Sequence, residues 1–512
     1  MTTTAARKPT PKKAKKDLMS RIPAGFVRAV LRGHSSLGLA FAALIYLICL
    51  SGSLAVFTHE FQRWESAGAP QVTEASPAAV QSAFEGAIAR GGPGVEHVYI
   101  TMPSADFPRL LLHVDAEQDR EFLADARGRI VDGSAFAWTE FVTRLHINLH
   151  LPRTWGGFLV GLIGVALLSS LISGILAHPR IFRDAFHLRL GGSKRLQEAD
   201  FHNRLGVWAL PFHILISLSG AFLGLTTIIV GVLGMAMFNG DVNKVYALFI
   251  PAPPIDDPRP APVLDLKPMF AKLPASGGRI EYIFTEHPTE MGGAALFNVK
   301  HPDRLAGTDG YAFRRDATIY HASPAAENNV GEDVLASMGV LHFGWFGGGL
   351  VKIVYFLLGL GLTYLAASGV NIWLARRRDK GRPAPGWERA WAATIWGQPA
   401  GIAAAAVTAL VAADIVPAIA AWLVVSAIFL LAAIRVTAAR LALAGGIATG
   451  AFMLLAAAVH LALRGGSASM DSIAWIVDAA LIGGGVALIL WARRGPRAAG
   501  KSGLREPAPA LP

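Results

Sequence analysis

DFHNRLGVWALPFHILISLSGAFLGL, residues Asp200 to Leu225, is an apolar run of membrane-crossing length that carries two histidines. His202 and His213 are eleven residues apart, about three helical turns. On one continuous helix they would share a face and lie about 16 Å apart along the axis. A second stretch, GHSSLGLAFAALIYLICLSGSLAVF at Gly33 to Phe57, follows the same plan. In each, a His is followed by Leu-Gly (His34, Leu37-Gly38; His202, Leu205-Gly206) and then by a Ser-Gly pair (Ser51-Gly52; Ser219-Gly220) at matched distances. These read as two copies of one unit. A lone histidine at a helix end is ordinarily a cap or a snorkelling side chain, whereas a repeated ionisable group inside apolar spans points to function.

Of 512 residues, 53% are apolar and only 16% charged, which excludes an ordinary soluble protein. Runs of spanning length occur at 35–57, 155–177, 205–230, 350–374, 392–412, 417–434, 441–463 and 473–491, predicting eight helices. The tail 1–34 has nine Lys/Arg against the single acid Asp17, and further basic clusters lie at 180–195, 376–382 and 493–501. With eight spans all of these fall on one side, so both termini are expected in the cytosol. The net charge of +11 is then a topology signal and requires no nucleic acid; the Lys12 to Lys16 segment is a weaker candidate for touching anionic lipid. The first span is too long for a signal peptide and reads as an anchor. Cys49 is the sole cysteine, which excludes an intrachain disulfide, a thiolate-held iron–sulfur cluster and covalent haem attachment. Any redox cofactor would need other ligands, and histidine is the one available.

Between the spans lie two segments of soluble-domain composition. Residues 58–154 show helical periodicity at 77–90, alternating strands at 95–102, 109–114 and 121–126, then FVTRLHINLHLPRTWGG (141–157), read as a helix carrying His146 and His150. Residues 231–349 have a proline-rich approach, strands near 279–284, 294–299 and 311–315, then VLASMGVLHFGWFGGG (334–349) with His342. His146 lies 28 residues before Gly174 and His342 lies 27 before Gly369, each the Gly of a Ser-Gly pair. The expected organisation is a cytosolic tail (1–34), a first repeat (35–177), a second repeat (200–375), a four-helix membrane module (390–492) and a second tail (493–512).

RGHSSLG…LSGSLAVF with Trp64, RLHINLHLPRTWGGFLVGL…SGILAHPRIFRDAF, DFHNRLGVWALPFHILISLSG and LHFGWFGGGLVKIVYFLLGLGL…SGVNIWLARRR together resemble the PepSY-associated transmembrane proteins. These are iron-regulated membrane proteins that include haem-containing siderophore reductases, and the likeness covers residues 20–380. It implies an integral membrane, mainly α-helical fold with two small α+β PepSY-type periplasmic domains in a bacterial inner membrane. It also implies b-type haem between the helices.

A haem held without covalent bonds takes one or two axial imidazoles, and both must lie at one depth. Repeat symmetry pairs His34 with His202 for an inner haem and His146 with His342 for an outer one, making two haem b groups. His150, one turn from His146, and His213, deeper on the third span, stay open as alternates. His178 reads as a helix cap, while His59, His97, His113, His287, His301 and His321 read as solvated. Gly38, Gly52, Gly174, Gly206, Gly220 and Gly369 would admit a macrocycle or serve helix packing equally well. Arg144, Arg153 and Lys352 are candidates for haem propionates or an anionic chelate, or else ordinary interface anchors.

No G-x-G-x-x-G follows a strand and no P-loop is present, so the electron donor is expected to be a quinol or a cytosolic reductase. The expected function is transfer of electrons outward across the lipid bilayer to a ferric siderophore or related ferric chelate, whose iron is released as Fe(II). An iron or siderophore permease and a PepSY-type regulatory or binding protein are the alternatives.

Overall fold

The computed structural model describes residues 23–131, 136–178, 194–248, 257–275, 277–465 and 470–494. The tail before Pro23, most of the 180–195 basic cluster and everything beyond Arg494 lie outside the described residues.

The chain begins with α1 (Ala24–Ala55) and a short α2 (Thr58–Glu65), followed by α3 (Pro77–Gly91). Four strands come next, β1 (His97–Thr101), β2 (Leu110–Asp115), β3 (Arg120–Ala124) and β4 (Ile130–Val131), and then α4 (Ala137–Asn148) and α5 (Arg153–Leu176). The second half repeats this with α6 (Lys194–Trp208), α7 (Leu210–Gly224), α8 (Thr226–Phe238), α9 (Val242–Tyr246) and α10 (Lys267–Lys272). Strands β5 (Arg279–Glu286), β6 (Ala294–Lys300), β7 (Thr308–Arg314) and β8 (Ile319–Ser323) lead to α11 (Val330–Phe343) and α12 (Gly348–Asp379). Four helices close the chain: α13 (Pro385–Ala412), α14 (Ile415–Ala432), α15 (Ala438–Arg464) and α16 (Ser472–Arg494).

Among the described residues, α1, α5, α12, α13, α14, α15 and α16 are long and apolar enough to cross a membrane. The eighth expected span is broken: α6 and α7 meet at a 71° bend. Pro211 is the cause, because it lacks an N–H and its ring clashes with the carbonyl four residues earlier. The reading of His202 and His213 as one face of a continuous helix is therefore corrected.

A similar break redirects His150. Helix α4 ends at Asn148, and Leu149 and His150 both take left-handed backbone angles (φ 56° and 55°) before Pro152 leads into α5. His150 thus sits outside the helix that carries His146. Its ring packs on Phe141 (centroids 4.9 Å) and Trp422 of α14 (5.9 Å). The start of α4 is tied down by Glu65, which accepts from the Trp138 and Thr139 amides and the Thr139 hydroxyl (2.6, 2.9 and 2.6 Å). Those bonds satisfy donors left open in a helix's first turn. Burial nevertheless lifts the Glu65 carboxyl to about 7. At the matching place in the second half, α11 carries a capping box of Asn329 and Glu332 and ends on Gly344 (φ 70°).

The strands follow the expected alternation, but they form one sheet of order β4-β3-β2-β1-β5-β6-β7-β8. Strands β1 and β5 pair antiparallel, Tyr99 facing Phe284, which fuses the two expected outer domains into a single layer. One face is covered by α3 and α10, with Val98, Ile100, Leu112, Ile283, Phe297 and Phe313 in the core. The remaining outer histidines are less uniform than expected. His59 packs between Phe107 and Trp345, and His301 is bonded to Asp309 (2.8 Å) with 14% of its side chain exposed, so neither is a freely solvated side chain.

The last four helices are locked to the rest by buried polar groups. Arg63 grips Asp471 through two bonds (2.9 and 2.7 Å), and Arg109 adds a third (3.0 Å). Burial alone would raise the Asp471 carboxyl, but these guanidiniums and the Ile473 amide hold it below the usual carboxylate range. Beside them, Trp64 donates to Asp478 (2.9 Å), and His460 bonds both Asp478 (2.9 Å) and the Trp64 carbonyl (2.8 Å).

Candidate histidine pair sites

Four histidines share one local construction, and it follows from the Ser-Gly pairs. An imidazole packed flat on a neighbouring helix needs a residue with no side chain beneath it. His34 of α1 lies over Gly174 of α5, where an added Cβ would meet its Cε1 at 3.4 Å. His146 of α4 lies over Gly52 of α1 (2.6 Å), His202 of α6 over Gly369 of α12 (3.6 Å), and His342 of α11 over Gly220 of α7 (2.9 Å). Each of the four Ser-Gly glycines is thus a seat for one imidazole. Gly38 and Gly206 differ: a Cβ there meets nothing within 4 Å, and both line an open cavity.

The serine or a carbonyl one turn earlier sets each tautomer. His34 Nδ1–H donates to the Ser170 carbonyl (3.0 Å) and His146 Nδ1–H to the Ile48 carbonyl (3.0 Å). His202 Nδ1 meets Ser368 Oγ (2.8 Å), whose own hydrogen is directed at the Leu365 carbonyl, so the imidazole is the donor. His342 Nδ1 meets Ser219 Oγ (2.9 Å), which in turn donates to Leu215 (2.6 Å). With every Nδ1 acting as a donor, every Nε2 of a neutral ring keeps its lone pair. A hydrogen-bonded Nδ1–H with a bare Nε2 is the arrangement of a metal-ligating imidazole.

The four fall into two pairs, each drawn from both halves of the chain. His146 and His342 face each other near the sheet end of the helices, with centroids 6.0 Å apart and planes 21° from parallel. Neutral imidazoles this close are a pair that could bind one metal-containing group between them. Burial lowers both imidazoles, that of His342 to about 3, which keeps them neutral. At the opposite end, His34 and His202 line one cavity with Gly38, Gly206, Gly174 and Gly369. Its empty volume is about 1340 Å³, counting the part that opens outward.

The alternates are placed elsewhere. His213 is fully buried and outside the cavity lining, with the Leu358 backbone as a polar neighbour. His150 faces α14 as described, and its ring nitrogens have no hydrogen-bond partner among the described residues. His178 donates from Nδ1 to the Gly174 carbonyl (3.1 Å) and so caps its own helix. Of the cations expected near the sheet-end pair, Lys352 is buried against Glu60 (2.8 Å) and Asp106 (3.4 Å), and Arg144 pairs with Glu140. His460 and Asp478 were not legible as a pair, although each is an ionisable residue within an apolar run, the signal that should draw attention. Both nitrogens of His460 face acceptors, so it offers no lone pair to a metal.

The profile of the PepSY-associated TM region matches residues 31–376, which is more than half of the chain and contains all four seated histidines. The chain belongs to the PepSY-associated TM family. A relative within reach of sequence comparison is PA4219 of Pseudomonas aeruginosa, an uncharacterised protein 29% identical over 250 residues, covering 46% of this chain. The chain spans 63% of that relative's length. The family match stops at the end of α12, so α13 to α16 lie beyond the matched PepSY-associated region.

Proposed function

We propose that this PepSY-associated membrane protein is a transmembrane haem b reductase that passes electrons across the membrane to a ferric siderophore or related ferric chelate. The observation that carries this reading is the set of four imidazoles, each with Nδ1–H engaged and Nε2 bare, arranged as two pairs at opposite ends of the helices. His146 and His342, with ring centroids 6.0 Å apart, and His34 and His202, which open onto a cavity whose glycines leave room for a flat ligand, are the residues that would hold haem at the two levels. A bound b-type haem would supply a one-electron Fe(III)/Fe(II) couple at each level.

The chain's own contribution is to hold and tune. The Ser170 and Ile48 carbonyls and the Ser368 and Ser219 hydroxyls orient the four rings and raise their basicity. Seating each ring on a glycine of another helix fixes its depth, and the apolar walls exclude water, which favours neutral ligands. Reduction releases iron because Fe(II) is a poorer match than Fe(III) for hard oxygen donors. On this reading the sheet end faces outward, and the donor, a quinol or a cytosolic reductase, acts at the other end.

Sealed vesicles of known orientation test the direction. Protein reduced from the end opposite the sheet should reoxidise when a membrane-impermeant ferric chelate is added on the sheet side, with Fe(II) appearing one for one with electrons lost. Reoxidation by chelate only from the opposite side would reverse the assignment and favour reduction after uptake.

A further inference from the structure

The cavity between His34 and His202 is apolar along its walls and charged at one end. Among the described residues its lining contains no Asp or Glu, and Arg376 of α12 is the one permanent charge on it. Arg376 lies seven residues after Gly369, the seat of His202, so it shares that helix face about 10 Å further along the axis. Asn203 and His178 also line the cavity.

The three consecutive arginines at the end of α12 are employed differently. Arg377 lies over the Trp373 ring at 5.2 Å, and Arg378 donates to Glu388 at 2.6 Å. Arg376 has neither kind of partner among the described residues and lines the cavity instead. A guanidinium on a cavity whose described lining is otherwise without permanent charge selects for a ligand with an apolar body and an anionic edge. Its fork geometry matches a carboxylate through two hydrogen bonds.

We propose that Arg376 receives a carboxylate of the ligand held by His34 and His202, so that the ligand's anionic edge lies toward the C-terminal end of α12 and its apolar edge toward the middle of the membrane. This rests on the haem reading above and adds the orientation of the group and a residue that holds it. The positive-inside pattern accounts for a basic helix end in general. It does not account for which of three adjacent arginines lines the site and has no ion-pair or ring partner among the described residues.

The test compares haem with haem dimethyl ester, which lacks the anionic edge, loaded into apo-protein in a His342→Ala background so that one site fills. The readout is the rate at which the group passes to apomyoglobin. Haem is expected to be retained about 10- to 100-fold longer than the ester when Arg376 is present, the range of a charge-assisted hydrogen bond. Arg376→Gln should bring haem retention to the ester's level while leaving the ester unchanged. Arg378→Gln, which removes a charge from the same helix end but outside the cavity, should alter neither. Uptake of haem with the haem-to-ester ratio unchanged by Arg376→Gln overturns this assignment alone. Failure of the unmutated chain to take up either compound removes the haem reading as well.

Discussion

Purified His146→Ala and His342→Ala proteins are expected to lose the same haem and keep the other, while His34→Ala and His202→Ala show the complementary loss. Each variant should retain about half of the haem iron of the unmutated protein. The physical reason is that retention rests on two axial bonds plus burial of the ring. Partners one shell further out are already worth about 10- to 100-fold in metal affinity, so loss of an axial imidazole should cost at least that. Resonance Raman or electron paramagnetic resonance of each variant reports which low-spin signal has gone. Loss of a signal in His150→Ala or His213→Ala, with its neighbour's variant unaffected, would break the pairing. In the structure His150 is turned toward Trp422 and His213 lies outside the cavity lining.

The second large effect is expected from residues that touch no cofactor. A methyl group at Gly52 would fall 2.6 Å from His146 Cε1 and 3.0 Å from its Nδ1, and one at Gly220 would fall 2.9 Å from His342 Cε1. The ring must shift in both cases, and with it the Nδ1–H bond that fixes its tautomer. Gly52→Ala and Gly220→Ala should therefore weaken haem retention at the sheet end by about 10- to 100-fold. At the opposite end the corresponding contacts are 3.4 Å for Gly174 and 3.6 Å for Gly369, ordinary or nearly ordinary packing distances. Gly174→Ala and Gly369→Ala should change retention there by much less. Alanine is the better helix former, by about 1 kcal/mol, so the helices themselves should persist. Equal effects of all four substitutions, read by haem transfer to apomyoglobin, would mean that these glycines serve only helix packing.

How much of this was legible in the sequence depended on whether the signal was local. Spans such as α1 and α5, and strands such as β1 to β3, follow from hydrophobic period and length, and they lie where the pattern places them. The Ser-Gly repeat marked the right glycines, but not that each would seat a histidine of another helix, because that relation joins residues 94 to 167 positions apart. The bend at Ala209 could have been read from Pro211. Two consecutive left-handed residues at Leu149 and His150 could not, since neither is glycine and nothing local favours that geometry. The pairing of β1 with β5 joins strands about 180 residues apart, which strand propensity does not encode. Arg376 was visible only as part of a basic cluster, and its place on the cavity emerges once α6 and α12 are packed together.

The most direct measurement is the reduced-minus-oxidised absorption spectrum of the purified protein, together with its haem-to-chain ratio by pyridine haemochrome. Two b-type haems per chain, both low-spin with two nitrogen ligands, are expected from two pairs of imidazoles with bare Nε2 atoms. A chain that is correctly inserted, folded and supplied with haem during expression, yet shows no haem bands, would contradict the account and leave the four seated histidines as helix-packing groups.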